Sequence, residues 1–450
     1  MSLVSDLAAR RLQAALARAQ RDGRVPSVTA ALTREGSLVW RGSHGTAIGP
    51  QGMRPADLQY RIGSITKTMT AVLVMQLRDE GLVDLDAPVT HHLPELDLPG
   101  VTPRVLLSHS AGLAAEPAGE WWERVPGDTF AQLAAGVKES AGVFTPGRTH
   151  HYSNLGYGLL GEVVARLRAS TWWETLSDRV LEPLGMLRTT YDAFEPHAQG
   201  YSVDPYAGTL TREPATDTRA MAPAGQVWST ALDLASFADF LLDGHGDVLP
   251  LGTLAEMSTP HSGTYADGLG SGYGLGLRMV PGGSGTLLGH TGSMPGFQAA
   301  LFVDRPRRAG AVVLGNGTTG LDTDTIAGSL LDLLEEVEPG VPEAWGPTES
   351  VPPEVADVLG VWHWGNTPRV VRWDGSVLTM TAFDGGEGDV FAPDGDGGLV
   401  GVSGYHAGEP LTAVRRDDGS VSHLLVSTFV LTRTPYDPHA PIPGGVSGPG

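Results

Sequence analysis

A chain of 450 residues, 41% hydrophobic and 18% charged, can bury a sizeable core and has room for two domains. Its formal net charge of −21 argues against phosphate backbones and anionic lipid, and so against nucleic acid and membrane surfaces as partners. It has no cysteine, which excludes disulfides, thiol nucleophiles and thiolate metal ligands.

Residues 1–21 read as an amphipathic helix, with Leu3, Leu7, Leu12 and Leu16 near helical spacing. That stretch has no uninterrupted apolar run of signal-peptide length, and no later run approaches a membrane span, so the expectation is a cytoplasmic protein. Residues 27–32 and 37–40 read as strands joined by a turn at Arg34-Glu35-Gly36. Residues 64–80 read as a helix with Ile65, Met69, Val72, Leu73 and Leu77 on its apolar side and Gly81 as its stop. Residues 85–260 mix helical segments with Pro/Gly loops, and 155–167 and 231–242 are the clearest helices. Strands return at 274–279, 285–289, 298–303 and 310–314, and a helix over 322–334 follows. Strands early and late with helices between predict an α+β fold. Its antiparallel sheet is assembled from both ends of the domain and flanked by helices, with a mainly helical subdomain beside it. Residues 338–353 contain five prolines and read as a linker between a domain over 1–337 and a second over 354–435. In the second, strand-like runs at 369–373 and 377–381 join through Asp374-Gly375, and 411–415 and 421–427 through Asp418-Gly419, which predicts a small antiparallel barrel. The Pro/Gly-rich residues 436–450 read as a disordered tail.

Lysine occurs only at Lys67 and Lys138, against 28 arginines. Arginine stays protonated and cannot act as a base, so a lysine kept in such a chain suggests a position that must lose its proton. Lys138 has the plain explanation of a solvated helix face. Lys67 ends Gly63-Ser64-Ile65-Thr66-Lys67, where Ser64 and Lys67, three apart, share one helix face. The Ser64 hydroxyl then sits at the positive end of the helix, and Gly63 lets a neighbour approach. A neutral Lys67 amine can take the Ser64 proton if burial and nearby positive charge lower its pKa. The competing reading is a capping serine beside a surface lysine. In His151-Tyr152-Ser153-Asn154, Tyr152 relays a proton if a nearby cation lowers its pKa, and Asn154 bonds Lys67 and a substrate amide. Alternatively Ser153 or Asn154 merely caps the following helix. In His290-Thr291-Gly292-Ser293, the Ser293 N–H can join the Ser64 N–H as an oxyanion hole; the alternative is a glycine-rich turn with a satisfied histidine. The pairs His91-His92 and His150-His151 point apart and lack a partner motif, so no metal is expected, and no phosphate-loop or Gly-x-Ser-x-Gly signature is present.

Ser-x-x-Lys, Tyr-x-Asn and His-Thr-Gly in this order resemble the class C β-lactamase branch of the penicillin-recognising serine hydrolases. The likeness extends over about residues 10–335 through Leu106-Leu107-Ser108-His109-Ser110-Ala111-Gly112-Leu113, Pro146-Gly147, Pro223-Ala224-Gly225 and residues 289–297. It implies a serine β-lactamase-like domain followed by a lipocalin-like barrel, without a cofactor. It makes Ser64 the acylated nucleophile, Lys67 and Tyr152 the proton-transfer pair, and Asn154 a substrate and lysine contact, with His290, Thr291 and Gly292 lining the site from the sheet. His290 stands where β-lactamases usually carry lysine, no export signal is seen, and a β domain is appended. These departures resemble the esterases and D-aminopeptidases of the branch. A histidine with a pKa of about 6.5 is largely neutral but still donates one hydrogen bond, so the expected partner is a small ester, amide or short peptide. A class C-type β-lactamase or D-Ala-D-Ala carboxypeptidase is the alternative. In another class stands a catalytically weak ligand-binding or sensor protein. No oligomeric state is implied.

Overall fold

The computed structural model describes residues 3–45, 58–137, 142–263, 271–341, 344–395 and 397–435. Lys138 and the expected tail at 436–450 lie outside the described residues. The chain forms two compact units, Met1–Val341 and Pro342–Gly450.

In the first unit, helix α1 (Asp6–Gly23) is capped by the Ser5 hydroxyl, which accepts from the Ala8 N–H. Its buried stripe is Ala8, Leu12 and Leu16, four residues apart. Leu3 and Leu7, expected on the same face, are exposed: Leu3 precedes the helix and Leu7 lies a quarter-turn off the stripe. Strands β1 (Ser27–Arg34) and β2 (Ser37–Gly45) form a hairpin, and β1 pairs antiparallel with a strand from the far end of the unit, running from Val28 opposite Gly315 to Arg34 opposite Ala309.

The helical part begins with α2 (Ile65–Asp79) and continues through α3 (Pro103–Leu107), α4 (Phe130–Gly136), α5 (Asn154–Arg168), α6 (Trp172–Leu176), α7 (Ala222–Gly225), α8 (Ala231–Asp243) and α9 (Leu251–Met257). The two-stranded ribbons β3 (Tyr60–Arg61) with β6 (Trp228–Ser229), and β4 (Tyr201–Val203) with β5 (Leu210–Arg212), lie among them. The sheet then resumes with β7 (Gly272–Tyr273), β8 (Arg278–Gly282), β9 (Gly285–Met294), β10 (Phe297–Asp304) and β11 (Ala309–Gly315), before α10 (Thr323–Val337). Of the strand expected over 274–279, residues 278–279 lie in β8, while a bend over 274–277 separates it from β7.

The seven-stranded order is β2-β1-β11-β10-β9-β8-β7. Alternate residues of the central strands serve two cores. Ala30, Leu32 and Val313 face α1 and α10 together with Leu12 and Leu330, whereas Ala31, Val312 and Leu314 face α2 and α8. With both faces covered, β1 and β11 are buried almost throughout, and β11 is apolar along its whole length.

The second unit begins with the short helix α11 (Pro353–Ala356). A closed antiparallel barrel follows: β12 (Gly360–Trp364), β13 (Thr367–Trp373), β14 (Leu378–Ala382), β15 (Asp389–Pro393), β16 (Leu399–Ser403), β17 (Pro410–Arg415), β18 (Val421–Val426) and β19 (Phe429–Thr432). Its interior holds Trp362, Val371, Phe391 and Leu424. Asp374 builds the β13–β14 turn by accepting from the Ser376 and Val377 N–H groups, each at 2.8 Å. Among the described residues no helix is long and apolar enough to cross a membrane.

Candidate active site

Ser64 sits immediately before α2 but does not cap it. Its backbone is helical, φ −67° and ψ −5°, and its side chain takes no capping bond. The hydroxyl instead meets Lys67 one turn on, with Nζ at 2.9 Å from Oγ. Lys67 is 0% exposed and also donates to the Ala224 carbonyl of α7 at 2.7 Å. Burial pushes its pKa from 10.5 down to about 7, against the opposing pull of the Glu116 and Glu123 carboxylates.

Tyr152 approaches Ser64 from the segment preceding α5, close enough that the Ser64 side chain opposes the rise in its hydroxyl pKa. Desolvation pushes the Tyr152 hydroxyl up, so the phenol stays protonated although Lys67 Nζ is 5.1 Å from its ring centre. The expectation of a cation-lowered Tyr152 therefore gives way to a neutral phenol, because burial outweighs the pull of the Ser64 side chain and of the Arg278 charge. Ser153 caps α5, accepting from the Gly156 N–H at 3.1 Å. Asn154 does not touch Lys67 as expected. Its Nδ2 donates to Glu116 at 2.7 Å, and the lysine has taken a backbone carbonyl instead.

The sheet supplies β9. Its partner β8 pairs with it only between Gly285 and Gly289, so residues 290–294 form an open edge. Met294 and Phe297 close a two-residue turn with β10. Bonded and non-bonded pairs alternate from there, so Thr291 and Ser293 turn their backbone groups away from β10 toward that edge. The start of α2 lies directly against it. A Cβ on Gly63, which has φ +52°, would stand 2.5 Å from Ser293 N, and one on Gly292 would stand 1.9 Å from the Ile62 carbonyl oxygen and 3.1 Å from Ser64 N. Two absent side chains thus bring the Ser293 and Ser64 amides to one place. The first N–H groups of a helix have no partner within it, so the Ser64 amide is available there.

These residues border a cleft of about 580 Å³ whose lining includes Ser64, Tyr152, Tyr273, Arg278, His290 and Thr291. His290 differs from expectation. It is 2% exposed, its Nδ1 lies 2.5 Å from the Thr291 carbonyl and its Nε2 2.8 Å from the Tyr273 hydroxyl. A carbonyl only accepts, so Nδ1 carries the proton and Nε2 accepts from Tyr273. Burial, aided by Lys67, drops its pKa to about 3. The ring is neutral and has no proton to offer a substrate.

Arg278, which carries no motif, was missed. From β8 its Nη1 lies 3.3 Å from Thr291 Oγ1 and 2.9 Å from Asp324, placing a guanidinium on the cleft wall beside His290. The Ala224 carbonyl was missed because backbone atoms leave no residue-type signature, though Pro223-Ala224-Gly225 had been singled out. Among the described residues no group of three or more His, Asp or Glu side chains could hold a metal ion.

The Beta-lactamase family model matches residues 10–335, and residues 351–433 match a domain of unknown function, DUF7586. The chain is 28% identical over 258 residues to beta-lactamase-like protein 2 of Dictyostelium discoideum, covering 54% of this chain and 47% of that protein. It is 31% identical over 212 residues to esterase EstB of Burkholderia gladioli, covering 42% and 53% respectively. It therefore spans about half the length of these two curated relatives. The solved D-stereospecific amidohydrolase from Streptomyces sp. is 29% identical with a TM-score of 0.60, covering 74% of this chain and 99% of that one.

Proposed function

The chain belongs to the Beta-lactamase family, and from that footing we propose that it is a serine hydrolase cleaving small esters or amides through an acyl-enzyme on Ser64. The observation that carries this reading is the 2.9 Å contact between Ser64 Oγ and a wholly buried Lys67 that makes no ion pair among the described residues. Near neutral pH the Lys67 amine is partly unprotonated. One of its N–H bonds points at the Ala224 carbonyl, which leaves the lone pair for the Ser64 proton. Ser64 Oγ bonds to the substrate carbonyl carbon as Lys67 takes that proton. The oxyanion is received by the Ser64 and Ser293 N–H groups. The tetrahedral adduct collapses, the leaving alcohol or amine takes a proton from the Tyr152 hydroxyl, and the Lys67 ammonium restores that proton. Water then attacks the acyl carbon by the same path reversed. Asn154, whose Nδ2 is engaged by Glu116, offers its oxygen to a substrate N–H. Thr291 and Gly292 form the wall against which the substrate lies.

The relatives named an esterase and an amidohydrolase support esters or amides as the substrate class. Arg278 favours a second reading. A guanidinium beside Thr291 can hold a substrate carboxylate, which revives the carboxypeptidase-type alternative that a neutral His290 had weakened. A fluorophosphonate should modify the Ser64 peptide, and Ser64→Ala should abolish both labelling and turnover of p-nitrophenyl esters or D-amino-acid amides. Labelling at another serine, with turnover intact in Ser64→Ala, would overturn the proposal and leave a binding or sensor role on this fold.

A further inference from the structure

His109 follows α3 with a left-handed backbone, φ +54°, at a helix end where glycine is the least strained residue. It is 1% exposed. Its backbone carbonyl accepts from the His151 N–H at 2.7 Å, and its ring Nδ1 accepts from the Ser153 N–H at 3.1 Å. Tyr152 is the residue between those two donors. The His109 ring also lies against the Tyr152 ring, with centroids 4.0 Å apart and planes 32° apart. Because Nδ1 accepts, the proton is on Nε2, and that buried N–H has no partner among the described residues. A strained backbone and an unsatisfied buried donor both oppose folding, and an apolar residue or a glycine would avoid one or both. What a histidine at 109 adds to the backbone carbonyl, which any residue would offer, is the ring acceptor for the Ser153 N–H, so that the main chain is held on both sides of Tyr152.

We propose that His109 is a positioning residue that sets the Tyr152 hydroxyl over Ser64, by clamping the main chain before and after Tyr152 and by bracing its ring. The proposal rests on the reading of Tyr152 as the proton relay. It makes the stretch 106–113 part of the proton-transfer apparatus rather than packing around it.

His109→Phe keeps a flat ring but removes the Nδ1 acceptor. Its kcat for a p-nitrophenyl ester should fall by about tenfold or more with KM little changed, since small displacements of a catalytic group are strongly felt in rate. Fluorophosphonate labelling of Ser64 should slow in the same proportion. His109→Asn places an amide oxygen near the position of Nδ1 and tolerates the left-handed backbone, so it should restore kcat to within about threefold of the unmodified protein. In a Tyr152→Phe background, His109→Phe should cost no further rate. An equal loss in both backgrounds, or an Asn variant as slow as the Phe variant, would overturn the proposal. If His109→Phe does not fold, the Asn variant decides alone, and a loss of about tenfold there is fatal. An unmodified protein that is not labelled at Ser64 would refute the serine-hydrolase reading instead, whatever the variants at 109 do.

Discussion

Lys67 bonds the carbonyl of Ala224 from 157 positions away in the chain, and that oxygen serves the lysine in both of its protonation states. Charged or neutral, the amine keeps an N–H to donate there, so its orientation toward Ser64 survives the loss of a proton. Arginine at 67 would keep the charge but could not surrender it. Lys67→Arg should lose on the order of a hundredfold in kcat. A variant within a few-fold of the unmodified protein would show that Lys67 acts only as a positive charge.

The same lysine sets the pH profile. Its pKa lies at about 7 in the folded protein, lowered from 10.5 by burial. The active form is the unprotonated one, so kcat/KM should rise through about pH 7 and decline below it as the amine gains its proton. Neutral His290, with its pKa near 3, should add no step between pH 5 and 8. A profile flat across pH 6 to 8 would contradict this assignment.

Gly292→Ala tests how tightly β9 meets the start of α2. The added carbon would stand 1.9 Å from the Ile62 carbonyl, so strand and helix must separate. We expect a loss of about 1–3 kcal/mol in stability, measured by denaturant unfolding, and near-complete loss of esterase activity as the two amides part. Normal turnover in the alanine variant would mean that the oxyanion is stabilised elsewhere.

Arg278→Gln should separate the two substrate readings. Removing a charge-assisted hydrogen bond should lower kcat/KM for carboxylate-bearing peptides by about ten- to a hundredfold, and leave neutral p-nitrophenyl esters within a few-fold. Equal losses on both classes would mean that Arg278 only braces Thr291 and Asp324.

Truncation after Val341 should give a folded, serine-reactive fragment, because the residues that make the two sheet-facing cores all precede that point. An insoluble fragment, or one that fluorophosphonate does not label, would show that the barrel unit is needed for the first unit to fold.

The parts legible in the sequence were those with local signatures. Ser64 and Lys67 share a helix turn, so spacing made their contact a candidate, and the burial of Lys67 decides it against a capping serine beside a surface lysine. The barrel strands announced themselves through Asp-Gly turns. What escaped the sequence depends on burial or on atoms that every residue possesses. Nothing local says that Lys67 takes the Ala224 carbonyl rather than Asn154, or that desolvation keeps Tyr152 protonated. His290 was read by its type, as a donor, whereas its role follows from neighbours that occupy both ring nitrogens. Arg278 is one arginine among 28 until the β8–β9 pairing brings it beside Thr291.

The pairing of β1 with β11 has a consequence for how the protein is made. Residues 27–34 leave the ribosome early, yet their partner at 309–315 emerges only after nearly the whole first unit. At about 5–20 residues per second that wait is on the order of tens of seconds. During it, β1 has only its hairpin neighbour β2, and a strand that the finished sheet buries almost throughout is left with an open edge. The first unit thus cannot close its sheet while it is being translated, and nascent chains should be susceptible to aggregation or dependent on chaperones until β11 arrives. The barrel residues follow β11 in the chain, so β1 and β11 have time to join while the barrel is being translated.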